Sequence, residues 1–215
     1  MQLVASDVCF TYPRGDHQVL TGVNFTIPAG SSAAIVGPSG SGKTTLLSLM
    51  GQLLPMQRGS IRAVDGTGTE FPLSETASWV LQTVSLLPDR SALDNVMVGA
   101  FSDGASHSQA HHRAAQCLAA VGLAGRDDDA ARILSGGEAQ RVAIARALAS
   151  GRPIILADEP TGQLDATTSA TVLEAMMGAH GERTVVVVTH DSEVAARCDM
   201  VLELRDGRIV PQGKP

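Results

Sequence analysis

The apolar positions of the chain recur with two periods, which divide it into strands and helices. Val23, Phe25 and Ile27 alternate with polar residues, a period of two that is typical of a half-buried strand. The segments 153–157 and 184–188 are almost continuously apolar, as expected of strands that are covered on both faces of a parallel sheet. Polar and charged residues follow both segments, so we expect functional side chains at that edge of the sheet.

Helical spacing, with apolar residues three and four positions apart, marks the intervening segments. It predicts helices over 93–100, 107–121, 135–148 and 165–179. Asp165 is the predicted N-cap of the last of them, since a carboxylate there can accept a hydrogen bond from a backbone N–H group. Strands alternating with helices indicate an α/β fold with a mainly parallel core sheet.

The N-terminal part of the chain has a different character. Segments 3–12 and 23–27 are predicted strands, and Pro28 and Gly30 mark a turn after them. We expect these strands to form a small antiparallel β subdomain beside the core sheet. The segment 83–135 carries two of the predicted helices and is expected to form an inserted helical subdomain.

A glycine-rich segment, 37–45, lies between an apolar strand and a helical pattern, which is the arrangement of a phosphate-binding P-loop. Glycines allow backbone N–H groups to surround a triphosphate, and the following helix directs its positive end at the anion. Lys43 would supply a point charge for the β- and γ-phosphates, and the Thr44 hydroxyl a ligand for Mg²⁺. The residues predicted to bind nucleotide here are Gly37, Pro38, Ser39, Gly40, Ser41, Gly42, Lys43, Thr44 and Thr45.

Carboxylates and a histidine stand at the ends of the two apolar strands. Asp158 and Glu159 follow the first strand, and His190 follows the second. Asp158 would hold Mg²⁺ or its water, and Glu159 would polarise the attacking water. His190 could donate a hydrogen bond to a γ-phosphate oxygen. The residues therefore predict a site for ATP hydrolysis.

Two further features are ambiguous from the residues alone. Ser135, Gly136, Gly137 and Glu138 open a predicted helix, which makes a second anion-binding end, although Ser-Gly-Gly also caps helices for local reasons. Tyr12 ends the first strand, where its ring could equally stack on adenine or be an ordinary strand aromatic.

Composition narrows the possible functions. The 215 residues carry a net charge of −6, which argues against a nucleic-acid partner. The sequence contains no apolar run long enough to cross a bilayer and no signal-peptide pattern, so we expect any membrane role to come through a partner. Three dispersed cysteines predict neither a zinc site nor disulfides. The histidines at 107, 111 and 112 are interpreted as a solvated helix face, and the charged loop 126–129 is given no role.

The order and spacing of these motifs resemble those of the ATP-binding-cassette (ABC) ATPases along almost the whole chain. The resemblance implies a single P-loop NTPase domain over residues 1–215, with ATP and Mg²⁺ as its ligands. It matches family motifs to Tyr12 as the adenine-stacking aromatic, 37–45 as Walker A, Gln82 as the Q-loop glutamine, 134–138 as the signature, 154–159 as Walker B, 164–165 as the D-loop and His190 as the switch histidine.

What the resemblance implies about roles goes beyond the residues themselves. It implies catalysis by Lys43, Gln82, Glu159 and His190, and metal binding by Thr44, Gln82 and Asp158. Two copies would pack head to tail, so that residues 135–138 bind the nucleotide held by the other copy. An integral membrane permease would be the second partner, placing the chain peripherally on the cytoplasmic face of the cell membrane.

Within the family, the chain is most similar to the macrolide-export and lipoprotein-release group. This implies a subunit that drives a separate permease, of an exporter or lipophilic-substrate, lipoprotein, haem or peptide extrusion type. The alternative is an ATPase whose permease motion signals to an extracytoplasmic enzyme. Departures from the family pattern are Glu138 for glutamine, Gln163 for Asn or Ala, Leu81 for Phe, and a short segment 67–81.

Overall fold

The computed structural model describes residues 1–13, 17–178 and 183–210, and it contains two sheets and seven α-helices in that part of the chain. The strands are β1 (Gln2–Thr11), β2 (Gln18–Ile27), β3 (Ser32–Val36), β4 (Arg58–Val64), β5 (Glu70–Phe71), β6 (Ala77–Val80), β7 (Ile154–Asp158), β8 (Thr184–Val188), β9 (Met200–Arg205) and β10 (Arg208–Val210). The helices are α1 (Lys43–Met50), α2 (Leu73–Thr76), α3 (Ala92–Phe101), α4 (His107–Ala120), α5 (Gly136–Ala149), α6 (Ala166–Met177) and α7 (Ser192–Ala196).

The larger sheet has the strand order β10-β9-β3-β8-β7-β6, and all its pairs except β10–β9 are parallel. Every residue of β7 and β8 is buried, which explains why both strands are apolar without alternation. Because β3, β7 and β8 are neighbours and parallel, their carboxyl ends meet at one edge of the sheet. The glycine loop, the Asp158–Glu159 pair and His190 therefore come together there, and the predicted α/β fold is confirmed.

The smaller sheet is antiparallel, with the order β2-β1-β4-β5. Its inward-facing residues share one hydrophobic cluster with β3, α1 and β8, so this sheet lies against the P-loop helix. The register between β1 and β2 is irregular, with shifts after Ala5, Val8 and Phe10. Tyr12 directly follows β1, which places its ring beside α1.

Helices α3, α4 and α5 pack together in a second cluster that also covers one face of β7 and β8. A β-carbon at Gly99 of α3 would lie 2.0 Å from the carbonyl oxygen of Arg146 in α5, so only glycine permits this spacing of the two helices. None of the helices in the described ranges has the length and apolar character needed to cross a bilayer.

Between residues 67 and 76 the structure contains two short elements that the sequence did not predict. This segment, which has no clear period, contains the two-residue strand β5 and the short helix α2. Elements this short cannot express a period, and β5 exists only because β4 pairs with it. Strand β6 ends at Val80, two residues before Gln82. The predicted end of α6 near residue 179 lies outside the described residues.

Candidate functional site

The glycine loop connects β3 to α1 in a conformation that requires its glycines. Gly42 is the N-cap of α1 with a φ of +102°, and no side chain caps the helix, so its first backbone N–H groups are available to a ligand. The Lys43 ammonium donates to the carbonyl oxygens of Gly37 (2.9 Å) and Pro38 (3.0 Å). The lysine is thus folded back over the loop, and it lies where an anion held by the loop would be.

The loop forms one wall of a cleft of about 390 Å³. Its lining residues come from both sheets and from the ends of β7 and β8, and they are Tyr12, Val19, Ser39, Gly40, Gly42, Lys43, Thr44, Thr45, Gln82, Asp158, Glu159 and Val188. The cleft lies at the carboxyl edge of the parallel sheet, where α/β proteins bind their ligands. Its size and mixed lining suit a nucleotide.

Asp158 has the chemistry of a metal ligand. Asp158 is only 6% exposed. This burial raises the pKa of its carboxyl group, while a hydrogen bond from the Thr44 hydroxyl lowers the pKa. A hydroxyl and a carboxylate that lie together beside a phosphate site are oxygen ligands of the kind that Mg²⁺ takes. Gln82, which lines the same cleft two residues after β6, adds an amide oxygen.

Glu159 is held from two sides. Oε1 lies 2.7 Å from Nδ1 of His190, and Oε2 accepts a hydrogen bond from the Thr189 hydroxyl at 3.3 Å. The hydrogen bond between His190 and Glu159, together with the negative charge of Glu159, raises the pKa of His190. Glu159 also has a φ of +47°, a left-handed conformation that is uncommon for a residue other than glycine and that concentrates at functional sites.

Tyr12 lines the same cleft. Its hydroxyl is 3.0 Å from the Thr45 hydroxyl, and its ring meets Phe10 edge-on, with ring centroids 5.0 Å apart. These contacts fix the ring, while 43% of the residue remains exposed. The exposed ring is therefore available to stack on a planar ligand.

The predicted site residues do not all meet in the cleft. Gly37, Pro38 and Ser41 shape the loop without lining the cleft, and His190 reaches it through Glu159. Residues 135–138 are absent from its walls. Ser135 instead caps α5 in a capping box, in which its hydroxyl accepts from the Glu138 N–H (3.3 Å) and Glu138 accepts from the Ser135 N–H (2.8 Å).

Two polar side chains with a part in these contacts were missed by the sequence analysis. Thr189 bonds Glu159, and its position between an apolar strand and His190 was a signal that could have revealed it. Arg126 donates to Glu138 at 2.6 Å. It belongs to a charged loop nine residues before Ser135, and nothing in the local sequence connects the two.

A strand, glycine loop and helix beside a buried aspartate and an adjacent glutamate define a P-loop NTPase. A family model described as ABC transporter matches residues 20–162, and the chain belongs to that family. It is an ATP-binding and ATP-hydrolysing subunit, an ABC ATPase.

Curated relatives agree with this assignment. The chain is 40% identical to the lipoprotein-releasing system ATP-binding protein LolD 1 of Rhodopirellula baltica, across 99% of the chain and 97% of that protein. It is also 40% identical to the macrolide export ATP-binding/permease protein MacB of Bradyrhizobium diazoefficiens, across 97% of the chain but only 33% of that protein. The predicted group within the family is thereby confirmed.

Solved structures show the same fold. The dimeric structure of MJ0796, described as a bacterial ABC transporter cassette, has a TM-score of 0.86 and 35% identity, covering 99% of this chain and 98% of that one. A second structure of MJ0796, with the same score and identity, is described as a dimeric post-hydrolysis state bound to ADP and Pi.

Proposed function

We propose that two copies of this chain form a head-to-tail dimer whose ATP-driven closing and opening drives a separate integral membrane permease. The observation that carries the proposal is the separation of two helix N-termini that were predicted to bind anions, at Gly42 in the cleft and at Ser135 outside it. A cleft with only one of them is half a site, and a second copy can supply the other half. The two MJ0796 structures, which are described as dimeric, support the pairing of two copies.

Within one subunit, the residues have separable tasks. The loop 37–45 binds the phosphates through backbone N–H groups, and Lys43 neutralises their charge. Thr44, Asp158 and Gln82 would hold Mg²⁺, which neutralises charge on the β- and γ-phosphates when bound. The Tyr12 ring stacks on the adenine base, fixed by its bond to Thr45.

Hydrolysis requires an oriented water molecule and a proton acceptor. Glu159 accepts the proton, because its carboxylate lines the cleft and is aimed by His190 and Thr189. His190 can donate to the γ-phosphate, and its raised pKa favours the protonated form that donates from both ring nitrogens. Gln82 follows strand β6 of the core sheet and precedes the proposed helical subdomain. In that position its contact with the nucleotide can transmit a change in the cleft to the subdomain.

The second copy completes the site in trans. Ser135, Gly136 and Gly137 present the positive end of α5 to the γ-phosphate, and Glu138 holds that end in shape. ATP contacts both copies only in the closed dimer, so its binding favours closure. Hydrolysis removes the bridging phosphate, and the pair reopens.

Mixed dimers test the composite site. Chains carrying Lys43→Ala or Ser135→Arg are each expected to lose hydrolysis, because each disables one half of both sites. When subunits exchange freely, half of the dimers in an equimolar mixture are mixed, and each mixed dimer has one intact composite site out of two. The mixture should therefore regain about a quarter of the wild-type rate. Phosphate release measures this, with crosslinking to count mixed dimers. Mixed dimers that form and remain inactive would contradict the head-to-tail arrangement.

The permease surface is proposed from exposed apolar side chains. Leu81, Leu87, Val98 and Phe101 are each 44–49% exposed, and the last two lie three positions apart on α3. Val98 and Trp79 line a common cleft. Large exposed apolar side chains are candidates for an interaction site, and Val98 and Phe101 lie together on α3.

We propose that residues 83–135 form an inserted helical subdomain that presents Leu87, Val98 and Phe101 of this surface to a helix of the permease. Binding to the permease would hold the chain peripherally on the cytoplasmic face of the membrane. MacB relatives, of which the chain spans a third, are named ATP-binding/permease proteins, which supports a permease partner. The relatives named for lipoprotein release and macrolide export favour transport of lipophilic cargo over signalling to an enzyme.

Copurification tests this surface. Phe101→Asp should reduce recovery of a multispanning membrane protein with the tagged chain from detergent-solubilised membranes by at least about tenfold, because a buried charge weakens an apolar contact. Phe71→Asp is the matched control, since Phe71 is exposed on β5, in the other sheet. Mass spectrometry identifies the protein recovered. Equal recovery with both variants would contradict the assignment of the surface.

A further inference from the structure

A single arginine connects the loop 126–129, which lies between α4 and α5, to the N-terminus of α5. The Arg126 guanidinium pairs with Asp129 in its own loop and donates to Oε1 of Glu138 at 2.6 Å. The other oxygen of Glu138 accepts the Ser135 N–H at 2.8 Å. One carboxylate thus joins Arg126 to the residue proposed to bind the γ-phosphate.

The charge of Glu138 conflicts with the proposed task of this helix end. A capping box accepts either Glu or Gln at this position, and Glu stabilises a helix that has no ligand. An incoming γ-phosphate is an anion, however, and an unneutralised carboxylate in the same helical turn repels it. Hydrogen bonds from the Ser135 backbone and the charge of Arg126 lower the pKa of Glu138, so it is ionised at neutral pH.

We propose that Arg126 is a positioning residue that neutralises Glu138 and so allows the N-terminus of α5 to receive the γ-phosphate held by the partner copy. The inference rests on the proposed trans site. Arg126 does not touch the nucleotide; it acts through Glu138, whose side chain is 19% exposed. The negative charge remains available for capping, while its repulsion of the phosphate is cancelled.

The loop that carries Arg126 is fixed in place, as this role requires. The Ala92 N–H donates to the Asp129 carbonyl (2.8 Å), and the Leu93 N–H donates to the Asp127 carbonyl (3.0 Å). These bonds fasten the loop to the first turn of α3. The guanidinium is therefore held by the helical region that would also face the permease, and movement of that region would change the charge balance at Ser135.

A double-mutant comparison of dimer affinity tests the proposal without measuring turnover. In a Glu159→Gln chain with ATP, we expect Arg126→Ala to raise the dimer dissociation constant about tenfold, the effect of one partly screened charge. With Glu138→Gln also present, the same Arg126→Ala change should alter it less than about twofold. Sedimentation analysis gives both values. Equal losses in the two backgrounds, or no loss with Glu138 present, would overturn the proposal.

Arg132→Ala is the matched control. Arg132 pairs with Asp89 at 3.4 Å on the surface, with side chains 61% and 89% exposed, and we expect less than a twofold change. Thermal unfolding of Arg126→Ala and of Arg126→Gln shows whether either change destabilises the fold. A loss of dimer affinity caused by a folding defect would persist in the Glu138→Gln background, whereas a loss caused by charge would not.

Mixed dimers separate this inference from the head-to-tail model itself. In a mixed dimer, the intact composite site combines the glycine loop 37–45 of the Ser135→Arg subunit with the N-terminus of α5 from the Lys43→Ala subunit. Arg126→Ala should therefore reduce hydrolysis about tenfold when placed on the Lys43→Ala subunit, and by less than twofold on the other. If the parent mixture is inactive, the trans model fails; if it is active and both placements behave alike, the assignment of Arg126 fails.

Discussion

Replacing Glu159 by Gln is expected to lower the kcat for ATP hydrolysis by about 10²–10⁴-fold, while ATP still binds. The amide has the shape of the carboxylate and can keep its contacts with His190 and Thr189, but it cannot accept a proton. Because the γ-phosphate is not removed, the variant should accumulate as an ATP-bound dimer. Phosphate release and sedimentation with ATP or ADP measure the two effects.

The backbone explains why the change should be specific to this position. Glu159 has left-handed dihedral angles, and its N–H donates to the Val188 carbonyl at 2.9 Å, so the turn after β7 aims the side chain at the end of β8. Glu174→Gln, on the exposed face of α6, is the control and should retain the wild-type rate. Near wild-type hydrolysis by Glu159→Gln would refute its role as the base.

Replacing Gly37 by Ala is expected to lower ATP affinity at least about 100-fold and the free energy of unfolding by about 3–5 kcal/mol. The reason is a close approach of two backbones. A β-carbon at Gly37 would lie 2.1 Å from the Leu204 carbonyl oxygen, and the φ of +150° is itself unfavourable for alanine. Relief requires β3 to shift from β9, which displaces the loop that carries Lys43.

Gly68→Ala separates the clash from the cost of the dihedral angle. Gly68 has a φ of +88° but no heavy atom near its missing β-carbon, so its substitution should cost only about 1–2 kcal/mol. Urea denaturation and titration with a fluorescent ATP analogue compare the two variants. A Gly37→Ala chain that folds and binds ATP within a few-fold of wild type would show that the loop tolerates the displacement.

Elements and chemistry that depend on neighbours in the chain could be predicted from the residues alone. The strand-loop-helix around 37–45 was predictable because its glycines, Lys43 and its flanking apolar runs are contiguous. The apolar strands ending at Asp158 and Val188 were predictable because burial on both faces leaves an unbroken run. The family followed from the order of such motifs, and the comparisons confirm it.

Contacts between distant segments became visible only in the folded structure. It placed Tyr12 against Thr45, bonded Glu159 to His190, and paired β5 with β4 where no period existed. It also separated Ser135 from the cleft and brought Arg126 to Glu138. The physical reason is that side-chain hydrogen bonds and ion pairs act over about 3 Å in space. Such contacts leave no periodicity along the chain, and the packing of sheets and helices alone brings their partners together.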